Sequence, residues 1–247
     1  MTTAARERAR VRTPVLVVSA LAWIVLLLQP THLMLHDQPG HHHHHESMAV
    51  HPGHPSLGTI ALGWAVMLAA MMLPPLAAPV RHVRDRSFVE RRLRSTALFL
   101  AGYLALWMLA GAASVAALLS VLAAVGDARA LALAAVAAAL LWQVSPMKQA
   151  CLNRLHAHPQ LAAFGFAADV DAFRFGLAHG FWCVGSCWAL MLVPMALPSG
   201  HLPAMVVVSL WIWGEHLDRP TPPSWRLRLP LKAVRLFFAQ LRIHALG

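Results

Sequence analysis

The sequence predicts an all-α fold: a polytopic transmembrane helix bundle of six spans with both termini cytoplasmic. Three observations carry this expectation: a scarcity of charge, six long apolar runs, and basic residues confined to alternate connections. Of 247 residues, 58% are hydrophobic and 12% are charged, and the mean hydropathy is +0.58. A soluble domain carries roughly 25% charged residues, so this chain cannot clothe a water-facing surface of ordinary size. That excludes an ordinary soluble enzyme, a disordered chain and a disulfide-stapled secreted module. The three cysteines, Cys151, Cys183 and Cys187, are odd in number and lie in or beside apolar sequence, so they are not a disulfide framework.

The apolar runs cover 14–35, 57–80, 96–125, 129–147, 173–197 and a short 202–217. In lipid such a run must be helical, because only a helix satisfies every backbone group within the segment. The first run has a basic start and an apolar core, Val15–Leu28, with no small-x-small cleavage site after it. It reads as a retained signal anchor. The second holds Met67, Met71 and Met72 and is expected to end at the helix-disrupting Pro74–Pro75. The third and fourth are rich in small residues (Gly102, Gly111, Ala112, Ala134, Ala138), which let helix backbones approach closely. The fourth exits through Gln143, Pro146, Lys148 and Cys151, and the sixth ends in Glu215 and His216.

Lysine and arginine set the orientation. Nineteen of 20 fall in the N-terminus (Arg6–Arg12), the second connection (Arg81–Arg94), the fourth (Lys148, Arg154, Arg174) or the C-terminus (Arg219–Arg242); only Arg129 does not. Even-numbered connections and both termini are therefore cytoplasmic, which fits a multi-pass protein of the bacterial cytoplasmic (inner) membrane. This placement also accounts for the net charge of +10 without nucleic acid. The chain divides into a basic N-terminus (1–13), a membrane domain (14–217) with an external loop at 36–56, and a basic tail (218–247). In the tail, Lys232, Arg235 and Arg242 share one helical face and Leu231, Val234, Phe237, Phe238 and Leu241 another. That spacing predicts an interfacial amphipathic helix on the anionic leaflet.

Two segments carry metal-binding chemistry. Nine of the 16 histidines, His32, His36, His41, His42, His43, His44, His45, His51 and His54, lie within 23 residues around the first external connection. Imidazole is a common ligand for zinc, copper and nickel, and Pro and Gly40 make the segment a loose capture loop rather than a fixed site. In the fifth run His179, Cys183, Cys187, Met191 and Met195 recur every four residues, a slowly winding helical stripe. Thiolate and thioether are soft donors that select Cu(I). Under the expected orientation His179, Cys183, Met71, Met72, Gln143, Cys151 and Glu215 all fall in the cytoplasmic half of their spans. An ionisable residue in a span, such as Glu215, is a functional candidate by default.

These residues resemble a bacterial family of predicted metal-binding integral membrane proteins, some of whose members are labelled copper chaperones. The resemblance covers about 57–217 and rests on WAVMLAAMMLPP (Trp64, Met67, Met71, Met72, Pro74), WQVSPMKQACL (Gln143, Pro146, Lys148, Cys151) and GLAHGFWCVGSCWALM (Gly176, Gly180, Cys183, Gly185, Cys187, Trp188, Met191), with Glu215 at the closing glutamate. The chain departs from it at Ser186, where the family usually has a third adjacent cysteine, and at Leu155, where it often has another; His156 and His158 follow that position. The resemblance implies metal binding without a mechanism.

The expected function is copper handling: capture by the external His loop, then Cu(I) held by Met67, Met71, Met72, Cys151, His179, Cys183, Cys187, Met191 and Glu215. Zinc or nickel would also suit the loop. Expected partners are the bilayer, the metal ion and a cuproprotein or membrane subunit. A metal-ion transporter and a metal-free assembly subunit are the alternatives. An enzyme is not expected, since the chain has no Ser/His/Asp set, HExxH motif, phosphate loop or paired carboxylates.

Overall fold

A computed structural model describes residues 3–28 and 57–227, all in helices and short connections with no strand among them. The helices are α1 (Thr3–Leu28), α2 (Leu57–Asp85), α3 (Arg92–Val125) after a 3-10 turn at Val89–Arg91, α4 (Ala128–Gln143), α5 (Pro146–Leu155), α6 (Gly165–Ala196) and α7 (His201–Leu217). The His-rich loop and the amphipathic tail lie outside the described residues.

Helices spanning Arg10–Leu28, Gly58–Asp85, Val89–Val125 and Gly165–Ala196 are each long and apolar enough to cross a bilayer; this is a membrane protein. The pair α4 and α5, bent by 68°, supplies a fifth crossing if the two halves form one span. The 17 residues of α7 reach only about 25 Å, less than the ~30 Å hydrocarbon core.

Three local expectations are corrected. First, α2 does not stop at Pro74–Pro75 but continues through them and Pro79 to Asp85. A proline at i cannot donate to the carbonyl at i−4, so the carbonyls of Ala70 and Met71 are released. Neighbouring helices take them up: Ser19 Oγ (2.8 Å) and Trp23 Nε1 (3.1 Å) of α1 donate to Ala70, and Trp213 Nε1 (2.6 Å) of α7 donates to Met71. Such re-satisfaction is what lets a membrane helix tolerate proline. Second, the segment after residue 146 is a helix, not a plain connection. Pro146 holds Ser145 in extended conformation, and the Ser145 hydroxyl caps α5 by accepting from the Lys148 N–H at 3.1 Å. Third, Lys148, counted above with the loop charges, is 2% exposed. Its charge lies inside the protein, so the expected orientation has to rest on the other basic residues.

The central element is α6, which packs against α3, α4, α5 and α7; α1 packs on α2, and α2 on α3 and α7. Glycine allows the α3–α6 approach. A side-chain carbon at Gly176 would fall on the Phe99 carbonyl oxygen, so no larger residue fits there. Gly126 ends α3 in the left-handed region (φ 72°), its N–H bonding Leu122 O at 2.7 Å, and Asp127 caps α4 at once. Outside the core α1 is apolar, with Leu16, Val17, Val18, Leu21, Ile24 and Val25 exposed. That surface suits lipid and not water.

Candidate metal centre

The stripe on α6 faces inward. His179, Cys183, Cys187 and Met191 are buried, while Phe181 on the other side of the helix is exposed. All three cysteines are free thiols. Cys183 and Cys187 are one helical turn apart, and their thiols are electrostatic neighbours. The Cys187 thiol and the Ser186 hydroxyl both donate to the Cys183 carbonyl, at 2.9 and 2.8 Å. Ser186, at the position where the resemblance has a third thiol, is therefore turned back onto its own helix.

Three further groups surround the Cys183 thiol. Tyr103, the only tyrosine of the chain, brings its hydroxyl to 3.4 Å from Cys183 Sγ, a placement made by the close α3–α6 contact. His216 of α7 is an electrostatic neighbour of the same thiol. Its Nδ1 sits 2.8 Å from Ile212 O, while its Nε2 is buried with no hydrogen-bond partner among the described residues. An orphaned buried nitrogen is costly, and here it lies beside a soft sulfur donor. One turn before Cys183, His179 is held between the rings of Phe99, Tyr103 and Phe175, at centroid distances of 5.9, 6.1 and 5.8 Å. Neither His216 nor Tyr103 stood among the site residues expected from sequence. His216 was visible as an ionisable residue at a span end, but Tyr103 carried no motif.

Met67, Met71 and Met72 are buried in the same apolar core as Cys183, Cys187 and Met191. The proline pair anchors this part of α2, since the Met71 carbonyl it frees is the one that Trp213 of α7 grips. Thus the methionines are held by the helix that also carries His216.

Glu215 is not a surface carboxylate. It is 9% exposed and pairs with the Lys148 ammonium and the Gln143 amide, while Trp211 Nε1 donates to it at 3.0 Å. Lys148 Nζ also donates to Gln143 Oε1 at 2.6 Å. The trio ties the end of α4, the start of α5 and the end of α7 together. Lys148 is in turn an electrostatic neighbour of Cys187. Glu215 thus borders the thiol pair through Lys148, its oxygen already occupied by three donors.

Cys151 does reach α6, but on another side. A carbon added at Gly185 would sit 2.8 Å from Cys151 Sγ, and Gly185 lies some 160–200° around the helix from Cys183 and Cys187. The structure therefore separates Cys151 from the pair. His156, which bonds Leu152 O at 2.9 Å, and the exposed His158 precede α6 in the chain and are electrostatic neighbours of His179. The loop histidines His41–His45 lie outside the described residues. Among the described residues no three of His, Cys, Asp and Glu converge closely enough to hold a metal ion. The closest donors are the two thiols of Cys183 and Cys187, with the His216 imidazole a neighbour of Cys183 alone and the α2 methionines elsewhere in the same apolar core.

Fold and site define a membrane protein whose buried interior offers soft donors. The chain belongs to the PpoB2 family, described as copper chaperones, whose pattern matches residues 61–229. No curated protein and no solved structure matches it.

Proposed function

We propose that this chain is a copper-handling protein of the bacterial cytoplasmic membrane, which holds Cu(I) between Cys183 and Cys187. His216 and the α2 methionines complete its surroundings. The observation that carries the reading is the buried thiol pair beside an imidazole nitrogen with no partner among the described residues. Soft sulfur donors select Cu(I), which is content with few ligands, whereas structural zinc takes four. The family description points to the same metal. The ion is cargo: it arrives, is held and is passed on.

In this reading the chain crosses the bilayer six times with both termini inside. The α4–α5 pair is one bent span, and α7 is a short one. The Ser19 and Trp23 bonds to α2 support retention of α1 as a span. The external His loop gathers metal, and a cuproprotein or membrane subunit receives it. Two thiolates and one Cu(I) leave one negative charge in a low-dielectric interior. The nearby Lys148 ammonium offsets part of that cost.

The test is copper content. Protein purified in detergent under reducing conditions, loaded with Cu(I) and desalted, should retain about one tightly held ion per chain when the loop 36–56 is deleted. Cys183→Ser with Cys187→Ser should lose that ion, and retention by the double variant would overturn the reading. Uptake into sealed proteoliposomes would identify a transporter instead.

A further inference from the structure

The second connection supplies six of the nineteen basic residues that the sequence puts inside, yet its arginines are not equivalent in the structure. Arg91 and Arg94 are committed to Asp169 of α6, each at 2.7 Å. Arg10 of α1, Arg81 and Arg84 of α2 and Arg92 of α3 instead converge around a small pocket of about 30 Å³, together with Val11 and Asp85. Four arginines and one aspartate thus line the same pocket. Among the described residues none of the four is in an ion pair, and Arg92 Nε is buried with no hydrogen-bond partner. Cations gathered from three helices repel one another unless an anion lies among them.

A second cavity continues from the first. It measures about 180 Å³ and shares Arg10, Val11 and Arg84 with the pocket. Away from that shared rim its walls are mainly apolar: Pro14, Val15, Leu73, Leu76, Val80 and Leu100. The groove lies between α1, α2 and α3, beside the exposed apolar face of α1. A basic mouth opening into an apolar groove at the membrane boundary matches one chemistry, a phosphate-bearing headgroup joined to a hydrocarbon chain.

We propose that the basic ends of α1, α2 and α3 form a site for one anionic phospholipid. The headgroup phosphate is held by Arg10, Arg81, Arg84 and Arg92, and an acyl chain lies in the groove below. The lipid fills the seam where α1 joins the bundle. Nothing in this site depends on the copper reading, and it lies on residues separate from the thiol pair.

Native mass spectrometry of the purified full chain tests it. Detergent-solubilised protein is titrated with a phosphatidylglycerol or with the phosphatidylcholine of the same acyl chains. One phosphatidylglycerol should be retained preferentially. Arg84→Gln with Arg92→Gln removes two charges at a membrane surface and should weaken that retention by about 30-fold. Leu100→Trp fills the groove and should lower retention with every arginine in place; unchanged gel-filtration elution shows that each variant is folded. Equal retention of both lipids, or phosphatidylglycerol retention unmoved by either variant, overturns the proposal. So does binding of inorganic phosphate without lipid, which would identify a simple anion pocket.

Discussion

Lys148→Met isolates the buried charge pair. Lys148 and Glu215 have side-chain exposures of 3% and 9%, so neither can recover water by a small movement. Removing one member of a buried pair costs ~3–5 kcal/mol, because the survivor stays charged and unpaired. Here Glu215 keeps Gln143 and Trp211 as donors, which places the expected loss at the lower end, about 3 kcal/mol. That is roughly a 150-fold fall in the folded-to-unfolded ratio. Glu215→Gln alone strands the ammonium and should destabilise by a similar amount. The double variant removes both charges, and buried pairs replaced by neutral groups often lose little; it should recover most of the loss. The assay is reversible unfolding in mixed micelles, with the four proteins compared as a cycle. Lys148→Met within about 0.5 kcal/mol of wild type, or strictly additive effects, would refute the reasoning.

Three further outcomes are expected. Trp213→Phe should cost about 1 kcal/mol, because the Met71 carbonyl freed by Pro75 loses its donor, and nearly nothing in a Pro75→Ala background, where the introduced alanine supplies an N–H; equal costs in both backgrounds would contradict the account of the proline pair. Gly176→Leu should abolish folded protein on gel filtration, since the added carbons meet the Phe99 backbone, whereas Gly126→Asn should fold because asparagine tolerates the left-handed φ of 72° and open space surrounds that turn. Cys151→Ser should leave the copper retained by the purified protein unchanged, given its place on the other side of α6; loss of the ion would bring Cys151 into the site.

Much of the bundle was legible because the apolar runs within the described residues coincide with helices and the basic residues bracket those runs. The helix ends were less so. The prolines at 74 and 75 read as a stop, and only the partners that take up the carbonyls of Ala70 and Met71 show why the helix goes on. Those donors come from residues 47 to 142 positions distant in sequence, beyond any local pattern. The bend after Val144 carried a local signal, a serine followed by proline, that the polar character of residues 148–158 obscured. The inward stripe on α6 followed from spacing alone. Which donors face it depended on helix rotation, and rotation is set by close glycine contacts between α3 and α6 and by the buried trio at Glu215. Hence Tyr103 and His216 emerged, and Cys151, grouped with the pair by depth, proved to lie around the helix from it.

The measurement closest to the central claim is X-ray absorption at the copper edge on protein lacking 36–56 and loaded with one Cu(I). The account expects nearest-neighbour scattering dominated by sulfur, at most one nitrogen from His216, and loss of the sulfur contribution in the Cys183→Ser and Cys187→Ser double variant. A spectrum of nitrogen and oxygen neighbours alone, or one unchanged by that variant, would contradict it.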